Sequence, residues 1–496
     1  MFTLRVDQQH GMDLLRRSLG GGKRRPMFQA ATGFGKTILG SAIIGGALAK
    51  HKRVLFTVPS ISLINQTVEK FWIAGIREVG VIQADHPMTN PNMPVQVASV
   101  QTLVARGGVD RIPPADLVLI DEAHRWYTLY GEWMAHEAWR RVPFIGLSAT
   151  PWTKGLGKHY DDLIIPIRLA ELIEARLLAP FRAFAPSHPD LSKVRTERGD
   201  YRVDDLHDAM DKAPLTADIV DTWLVKGEGR PTLLFAVDRA HAESLRARFE
   251  AAGVRAEYAD QKTPGGRTRK KDGRDDIGDR LASGQTQVVC NVGVFTTGTD
   301  WPFVSCIILA RPTKSEMLYL QMIGRGLRTC TGKVDLLVLD HSDTTLRLGF
   351  ITDVHHEELD DGKKKPKAEK REKKEAALPK ECPSCGLLKP PRLRKCPGCG
   401  FESKPKSSEG DGELAELVPG KLKADRDTKQ KWWSMLTHYA KRRGFKDGWA
   451  AHAYREKFGV WPRGLAEVQT EPDVEVLGYI KHKLIKHAKG RTKQAA

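Results

Sequence analysis

Between Gln29 and Thr37 the chain reads QAATGFGKT, which keeps the Gly35-Lys36-Thr37 end of the phosphate-cradling pattern G-x-x-x-x-G-K-[ST] and carries Ala30 at its first glycine. Gly33 and Gly35 allow successive backbone N–H groups to turn inward on phosphate oxygens, where a side chain would obstruct them. In that pattern Thr32 belongs to the same cradle, Lys36 would bring a point charge to the outer phosphates of a nucleotide, and the Thr37 hydroxyl can ligate Mg²⁺. For this stretch alone, a glycine-rich turn in an ordinary α/β domain is the competing reading. Further on, the apolar run Leu117 to Ile120 ends in Asp121, Glu122, Ala123 and His124. An acidic pair at the carboxyl end of a parallel strand lies where open α/β sheets bind ligands. Asp121 is then placed to hold Mg²⁺ through water, and Glu122 to deprotonate an attacking water.

A second constellation is ECPSCGLLKPPRLRKCPGCG, in which Cys382, Cys385, Cys396 and Cys399 form two C-x₂-C pairs, each followed by glycine. Such knuckles present four thiolates to Zn²⁺, and the spacing resembles a zinc ribbon, slightly shorter than the commonest pattern. Disulfides are the competing reading, disfavoured because the rest of the chain reads as cytosolic. So short a module has almost no apolar core of its own, so the metal would supply its folding free energy. Lys389, Arg392, Arg394 and Lys395 flank the cluster and are candidate phosphate contacts. Cys290, Cys306 and Cys330 are read as buried thiols.

These groups need strands that end where each motif begins. Met27 to Ala31, Val54 to Val58, Val95 to Val100, Leu117 to Ile120 and Phe144 to Leu147 form one set of strand candidates. Thr232 to Val237, Gln287 to Asn291, Ser305 to Leu309 and Leu336 to Leu339 form another, with helical patterns between, including Lys36 to Lys50. The alternation predicts parallel sheets covered by helices, in two tandem α/β lobes. The polar stretch Pro186 to Ala213 reads as a loop-rich connection. The expected organisation is lobe 1 over residues 1–175, lobe 2 over 176–358, a charged linker over 359–379 and the ribbon over 380–402. A second linker over 403–424 leads to a basic, helical C-terminal domain over 425–496.

No apolar run reaches membrane-spanning length and the N-terminus lacks a signal-peptide core, so no membrane partner is expected and the expected location is cytoplasmic. The net charge of +18 is unevenly placed. Residues 1–361 carry 46 basic against 44 acidic side chains, residues 362–496 carry 33 against 17. A near-neutral body with a basic last third suggests a polyanionic partner, most simply nucleic acid; a merely solvated tail is the alternative. In that third, Trp432, Trp433, Tyr439, Trp449, Tyr454, Phe458 and Trp461 at helical spacing read as a small core rather than a base-stacking platform, which leaves the basic side chains as contacts.

The order QAATGFGKT, VLFTVPSISLINQ, SVQTL, DEAH, SAT, GTDWP, QMIGRGLR resembles the motif ladder of superfamily 2 helicases and translocases. The closest flavour is the DEAH-containing DNA branch that includes restriction-enzyme translocase subunits, over residues 4–350. The resemblance implies two RecA-like lobes that bind ATP and Mg²⁺ between them. It makes Lys36, Thr37, Asp121 and Glu122 the phosphate, metal and base residues, and His124, Ser148 and Thr150 the coupling residues. Gln321, Arg325 and Arg328 would face the γ-phosphate across the cleft, as an arginine finger from the same chain, with Gly298 and Asp300 linking them to bound strand. Gln8 would meet the adenine, although Leu4-Arg5-Val6-Asp7-Gln8 lacks the aromatic of the family's usual start. Pro59, Ser60, Gln101 and Thr102 match motifs that touch the nucleic-acid backbone without reading sequence. The implied function is an ATP-dependent DNA helicase or translocase, with a replication, repair or restriction protein as the expected partner class. An RNA helicase and a non-catalytic nucleic-acid clamp are the alternatives, and no nuclease constellation accompanies the motor motifs.

Overall fold

The computed structural model describes residues 3–83, 85–260, 263, 277–296, 300–363, 378–402, 426–445, 448–458, 460–462, 464–480 and 483. It separates into one unit through Glu402 and a second from Ser403 onward. In the first unit, β1 (Pro26–Gln29), β2 (Val54–Val58), β3 (Val79–Ile82), β4 (Val95–Ser99), β5 (Leu117–Asp121), β6 (Phe144–Ser148) and β7 (Asp162–Ile164) form one parallel sheet. Its order is β3-β4-β2-β5-β6-β1-β7. Neighbouring residues of one strand serve opposite cores: Phe28 packs with Leu39, Phe56 and Phe71, whereas Met27 packs with Leu55, Val118 and Trp133. Burial on both faces explains why these strands are continuous apolar runs rather than alternating ones. The register sets Gln29 beside Ser148 and Asp121 beside Leu147, so the phosphate-type loop and the acidic pair emerge at one edge of the sheet.

The second sheet contains β8 (Phe181–Phe184), then, after the small antiparallel hairpin β9 (Thr196–Glu197) and β10 (Asp200–Tyr201), β11 (Thr232–Phe235), β12 (Ala256–Ala259), β13 (Val288–Asn291), β14 (Cys306–Leu309) and β15 (Leu336–Asp340). Its order is β12-β13-β11-β14-β15-β8, parallel throughout. Every strand expected from sequence is present. Four more, β3, β7, β8 and β12, are three or four residues long, too short for a periodic signal, and Arg182 interrupts the apolar run of β8. The stretch expected to be a loop-rich connection also holds the β9–β10 hairpin and the helix Val203–Met210.

After β15 the chain returns to the first lobe. The Asp360 carbonyl accepts from Gly157 N at 2.8 Å and its carboxylate from Gly155 N at 3.0 Å, while Leu359 packs on the first lobe's core. The expected linker therefore begins with an anchored segment; residues 364–377 and 403–424 of the two expected linkers lie outside the described residues. The ribbon follows as the hairpin β16 (Lys380–Glu381) and β17 (Leu388–Lys389). Leu387 pairs with Phe184 on β8, an edge strand of the second sheet, and Cys382, Leu387 and Cys396 share a core with Phe184, Leu234 and Leu339. His188 spans the junction, 2.7 Å from Asp343 and 3.5 Å from Glu381, and hydrogen bonds to both push its imidazole up to about 10. The ribbon thus shares the second lobe's apolar core, which the sequence reading did not foresee.

In the second unit, helices Arg426–Arg442 and Trp449–Phe458 enclose Trp432, Trp433, Leu436, Ala453 and Tyr454 together with Val476 and Ile480. Trp432 meets Phe458 edge-on at 5.7 Å and carries Lys457 4.3 Å over its ring. The tryptophans 432 and 433 are core, as their spacing indicated.

Candidate active site and metal centre

The loop Ala30–Gly35 leaves β1 and enters the helix Lys36–Leu48, whose free N–H groups and dipole favour an anion at that end. Gly33 and Gly35 have φ of 83° and 93°, the left-handed region that side chains avoid. A Cβ at Gly35 would lie 2.8 Å from Gln8 Nε2, and one at Gly33 would collide with Leu178. Gln8 is buried, donating to Phe34 O at 2.7 Å and accepting from Arg5 N at 3.1 Å. Its amide supports the loop from beneath, and Arg5 adds a bond to the same carbonyl at 3.0 Å.

Lys36 Nζ is hydrogen-bonded to Glu122 and lies 3.9 Å from Asp121. Burial alone would lower the lysine's pKa, but the two carboxylates outweigh it and the ammonium is held above its ordinary value. Burial and the neighbouring Glu122 push Asp121 up; for Glu122, burial is outweighed by Lys36 and the carboxyl is held low and ionised. Glu122 has φ of 49°, rare for a non-glycine residue, and costs about 1–3 kcal/mol of strain of the kind found at functional turns.

His124 joins the lobes. Its Nδ1 lies 3.3 Å from Glu122 Oε2 and 2.9 Å from Ser148 Oγ, while Nε2 lies 3.4 Å from the Gln321 amide nitrogen. Burial lowers its pKa to about 4, so the ring is neutral. An amide nitrogen can only donate, so Nε2 accepts and Nδ1 carries the proton toward Glu122 or Ser148. Ser148 Oγ also accepts from Thr150 N at 3.0 Å, and Thr150 is buried. Gln321 lies on the helix Glu316–Ile323 of the second lobe, and Arg325 follows that helix. Burial and Arg328 pull Arg325 down to about 10, and its charge is among those that lower Glu122. Arg328 instead pairs with Asp300 within the second lobe. Arg325 is therefore an arginine of the second lobe whose charge reaches Glu122. Gly298 lies outside the described residues.

Thr32 lies beside Gly324 of the second lobe, and Thr37 occupies the first turn of its helix. Leu178 over Gly33, and Thr153, whose hydroxyl donates to His124 O at 2.6 Å, are further parts of the site. Thr153 sits just past SAT, but Leu178 carries no sequence signal, because its contact exists only after folding. Of the candidate nucleic-acid contacts, Gln101 is exposed and Ser60 half-buried. Pro59 is buried, and Thr102 is buried with its hydroxyl on Ser99 Oγ at 2.9 Å, which leaves their side chains facing inward.

The four ribbon cysteines converge, with Cys382 and Cys399 sulfurs 3.7 Å apart, Cys385 and Cys396 sulfurs 3.7 Å apart, and all four sulfurs within 4.8 Å of one another. A tetrahedron of Zn–S bonds about 2.3 Å long has S···S edges of about 3.8 Å, so the cluster fits Zn²⁺; a disulfide would need about 2.05 Å. The Phe401 N–H draws the Cys399 thiol down to about 6, toward the thiolate a metal requires. Lys389, expected as a phosphate contact, is buried and donates to Leu393 O at 2.7 Å and Arg394 O at 2.8 Å; it braces the ribbon.

Two parallel-sheet lobes with a phosphate loop, an ionised carboxylate and a histidine that reaches the second lobe define a two-lobed protein of the P-loop nucleotide-binding class. Residues 1–153 match the family model for the type III restriction enzyme res subunit, and residues 215–330 that for the helicase conserved C-terminal domain. A Lactococcus phage protein of 51.5 kDa is 30% identical over 73% of this chain and 75% of its own length. A Saccharomyces cerevisiae protein described as an ATP-dependent helicase, IRC3, is 31% identical over 68% of this chain and 51% of its own, so the chain spans about half of that relative. The fold also resembles a solved fragment assigned to the HsdR subunit of a type I restriction enzyme from Vibrio vulnificus, at 20% identity, TM-score 0.53, 73% of this chain and 70% of that one. The chain belongs to the superfamily 2 helicases and translocases, in the restriction-enzyme-like branch.

Proposed function

We propose that this chain hydrolyses ATP between its lobes and uses their relative movement to translocate along, or unwind, DNA. The observation that carries the reading is the unbroken contact path from Lys36 through Glu122 and His124 to Gln321, which joins the phosphate loop of one lobe to the helix that precedes Arg325 in the other. Lys36 and the loop N–H groups bind phosphates, and Thr37 and Asp121 would hold Mg²⁺, which supplies charge neutralisation at the transferring phosphoryl group. Phosphates compete for Lys36 and so release Glu122 to take a proton from water. Arg325, closing from the second lobe, offsets charge that develops in the transition state. Gln8 beneath the loop is assigned to the adenine side, and Asp300 and Gly298 to strand coupling. Ser60 and Gln101 are assigned to the nucleic-acid backbone.

In the same reading the ribbon holds Zn²⁺, and the basic side chains of the last third bind DNA or dock a restriction, repair or replication partner. A cytoplasmic location belongs to this proposal; no helix among the described residues is long and apolar enough to cross a membrane. The test is ATPase activity measured without nucleic acid and with single-stranded DNA, duplex DNA and RNA. Stimulation by DNA supports the reading, stimulation requiring a 2′-hydroxyl replaces DNA with RNA, and no hydrolysis under any condition refutes the motor.

A further inference from the structure

The second lobe contains a guanidinium that the nucleotide site does not use. Arg311 follows β14 by two residues, at the carboxyl edge of the sheet, where Ala310 N is bonded to Phe235 O on β11 and His341 N, just past β15, to Leu309 O. Its Nε is closed off from solvent with no hydrogen-bond partner among the described residues, and burial draws the guanidinium below its ordinary pKa. The acid whose charge reaches it is Asp200, on β10. Both Asp200 oxygens are already engaged: one accepts from Thr313 Oγ1 at 2.7 Å, the other from Lys314 N at 2.7 Å.

Two further cations share this corner. Lys314 Nζ lies 4.4 Å over the Tyr201 ring, and the Arg347 guanidinium carbon lies 5.6 Å over the same ring. Arg347 Nε is also shut off from solvent and without a hydrogen-bond partner among the described residues. Three cations thus lie around β10, Arg311 within reach of the Asp200 charge and Lys314 and Arg347 over the Tyr201 ring. A guanidinium nitrogen closed off without an acceptor is costly, and an anion on the accessible part of the half-buried Arg311 fork would offset that cost. The planar fork of arginine matches phosphate oxygens, and the carboxyl edge of an open sheet is where such folds receive ligands.

The nucleotide site is at the other end of the same helix. Gln321 and Arg325 lie at the C-terminal end of Glu316–Ile323, and Arg311 and Lys314 precede its N-terminus, across eight residues or about 12 Å of helix. An anion bound at Arg311 is therefore separate from the phosphates bound at Lys36. We propose that Arg311, with Lys314 and Arg347, grips a phosphate of the nucleic-acid backbone, so that one helix touches nucleotide at one end and nucleic acid at the other. This rests on the motor reading above.

The test compares full-length wild type, Arg311→Gln and Arg311→Lys for binding of a fluorescently labelled DNA duplex and of a labelled single strand over a series of salt concentrations, with thermal unfolding as the folding check. The expected result is an approximately tenfold weaker Kd for Arg311→Gln, a log–log salt slope shallower by roughly 0.7–0.9 for the one lost phosphate contact, and partial recovery in Arg311→Lys. Folded Arg311→Gln with wild-type affinity and slope overturns the anchor while leaving the motor intact. If Arg311→Gln does not fold, Arg311→Lys decides: the unchanged affinity of a folded lysine variant for both DNAs overturns a fork-specific grip. Wild type that binds neither DNA refutes the motor reading as well.

Discussion

Releasing zinc from the ribbon is expected to destabilise the second lobe rather than only a peripheral module. Leu387 and Leu388 are 4% exposed and pack against side chains of the second sheet. Removing each from that core forfeits about 1.5–3 kcal/mol, so melting the ribbon withdraws about 3–6 kcal/mol of apolar burial. It also leaves β8 as an uncovered edge next to β15. Residues 181–402 span 222 positions; at about 2.1 cal/mol/K per residue the unfolding entropy is about 0.5 kcal/mol/K, and the loss lowers the lobe's midpoint by about 6–12 °C. The assay is thermal unfolding of Cys396→Ser/Cys399→Ser, and of wild type after chelation, with zinc content measured on the same samples. Loss of stoichiometric zinc with an unmoved transition would refute the idea that the ribbon is part of the lobe's core, and absence of zinc from wild type would refute the metal assignment.

Glu122→Gln should bind ATP with Mg²⁺ yet hydrolyse it about 10²–10⁴-fold more slowly, because the proton acceptor is gone; near-normal turnover removes Glu122 from that role. Arg325→Ala should lower kcat by about 10³-fold or more with nucleotide affinity largely kept, as a finger acts mainly in the transition state. A larger loss in Arg328→Ala would reverse the assignment made from their positions. Lys333 donates to the carbonyls of Pro302, Val304, Gly326 and Arg328 at 3.1, 2.5, 2.5 and 2.8 Å, and so ties the segment after Asp300 to the arginine segment. Lys333→Met should reduce kcat by about 10²-fold through misplacement, with Lys333→Arg recovering part of it, and an unchanged kcat in a folded Lys333→Met would show that the tie does not position the finger.

How much of this was legible in the sequence depends on the range of each interaction. The loop, the acidic pair and the cysteine knuckles are local in sequence, so residue type and spacing reveal them. The parallel strands are legible because burial on both faces makes them continuous apolar runs. Short strands such as β8 hold their place through neighbours distant in sequence: β8 pairs with β15 across about 150 residues and has no pattern of its own. The ribbon's docking was invisible for the same reason, since Leu387 and Leu388 read only as spacer between knuckles. Lys389 shows the limit of reading charge: a lysine in a basic run is expected to face a polyanion, yet backbone carbonyls four and five residues further on take its ammonium. The distinction between Arg325 and Arg328 is also tertiary, since it depends on which one Asp300 holds.

The docked ribbon changes where the basic last third should be divided. Residues 362–402 carry 13 basic against five acidic side chains and residues 403–496 carry 20 against 12, so the excess of +16 splits evenly at the boundary between the two units. A truncation near Asp361 would remove both halves and would also strip Leu387 and Leu388 from the second lobe, so weakened DNA binding would be confounded by a damaged motor. A cut after Glu402 removes only the helical unit, whose tryptophan core closes on itself. If that unit contacts DNA, the protein ending at Glu402 should retain its thermal transition and nucleotide affinity, require more DNA for half-maximal ATPase stimulation, and lose roughly 0.7–0.9 of log–log salt slope for each phosphate contact removed. Unchanged DNA demand and slope would make the helical unit a protein-docking arm and would leave the ribbon side and the Arg311 corner as the basic surfaces serving the motor.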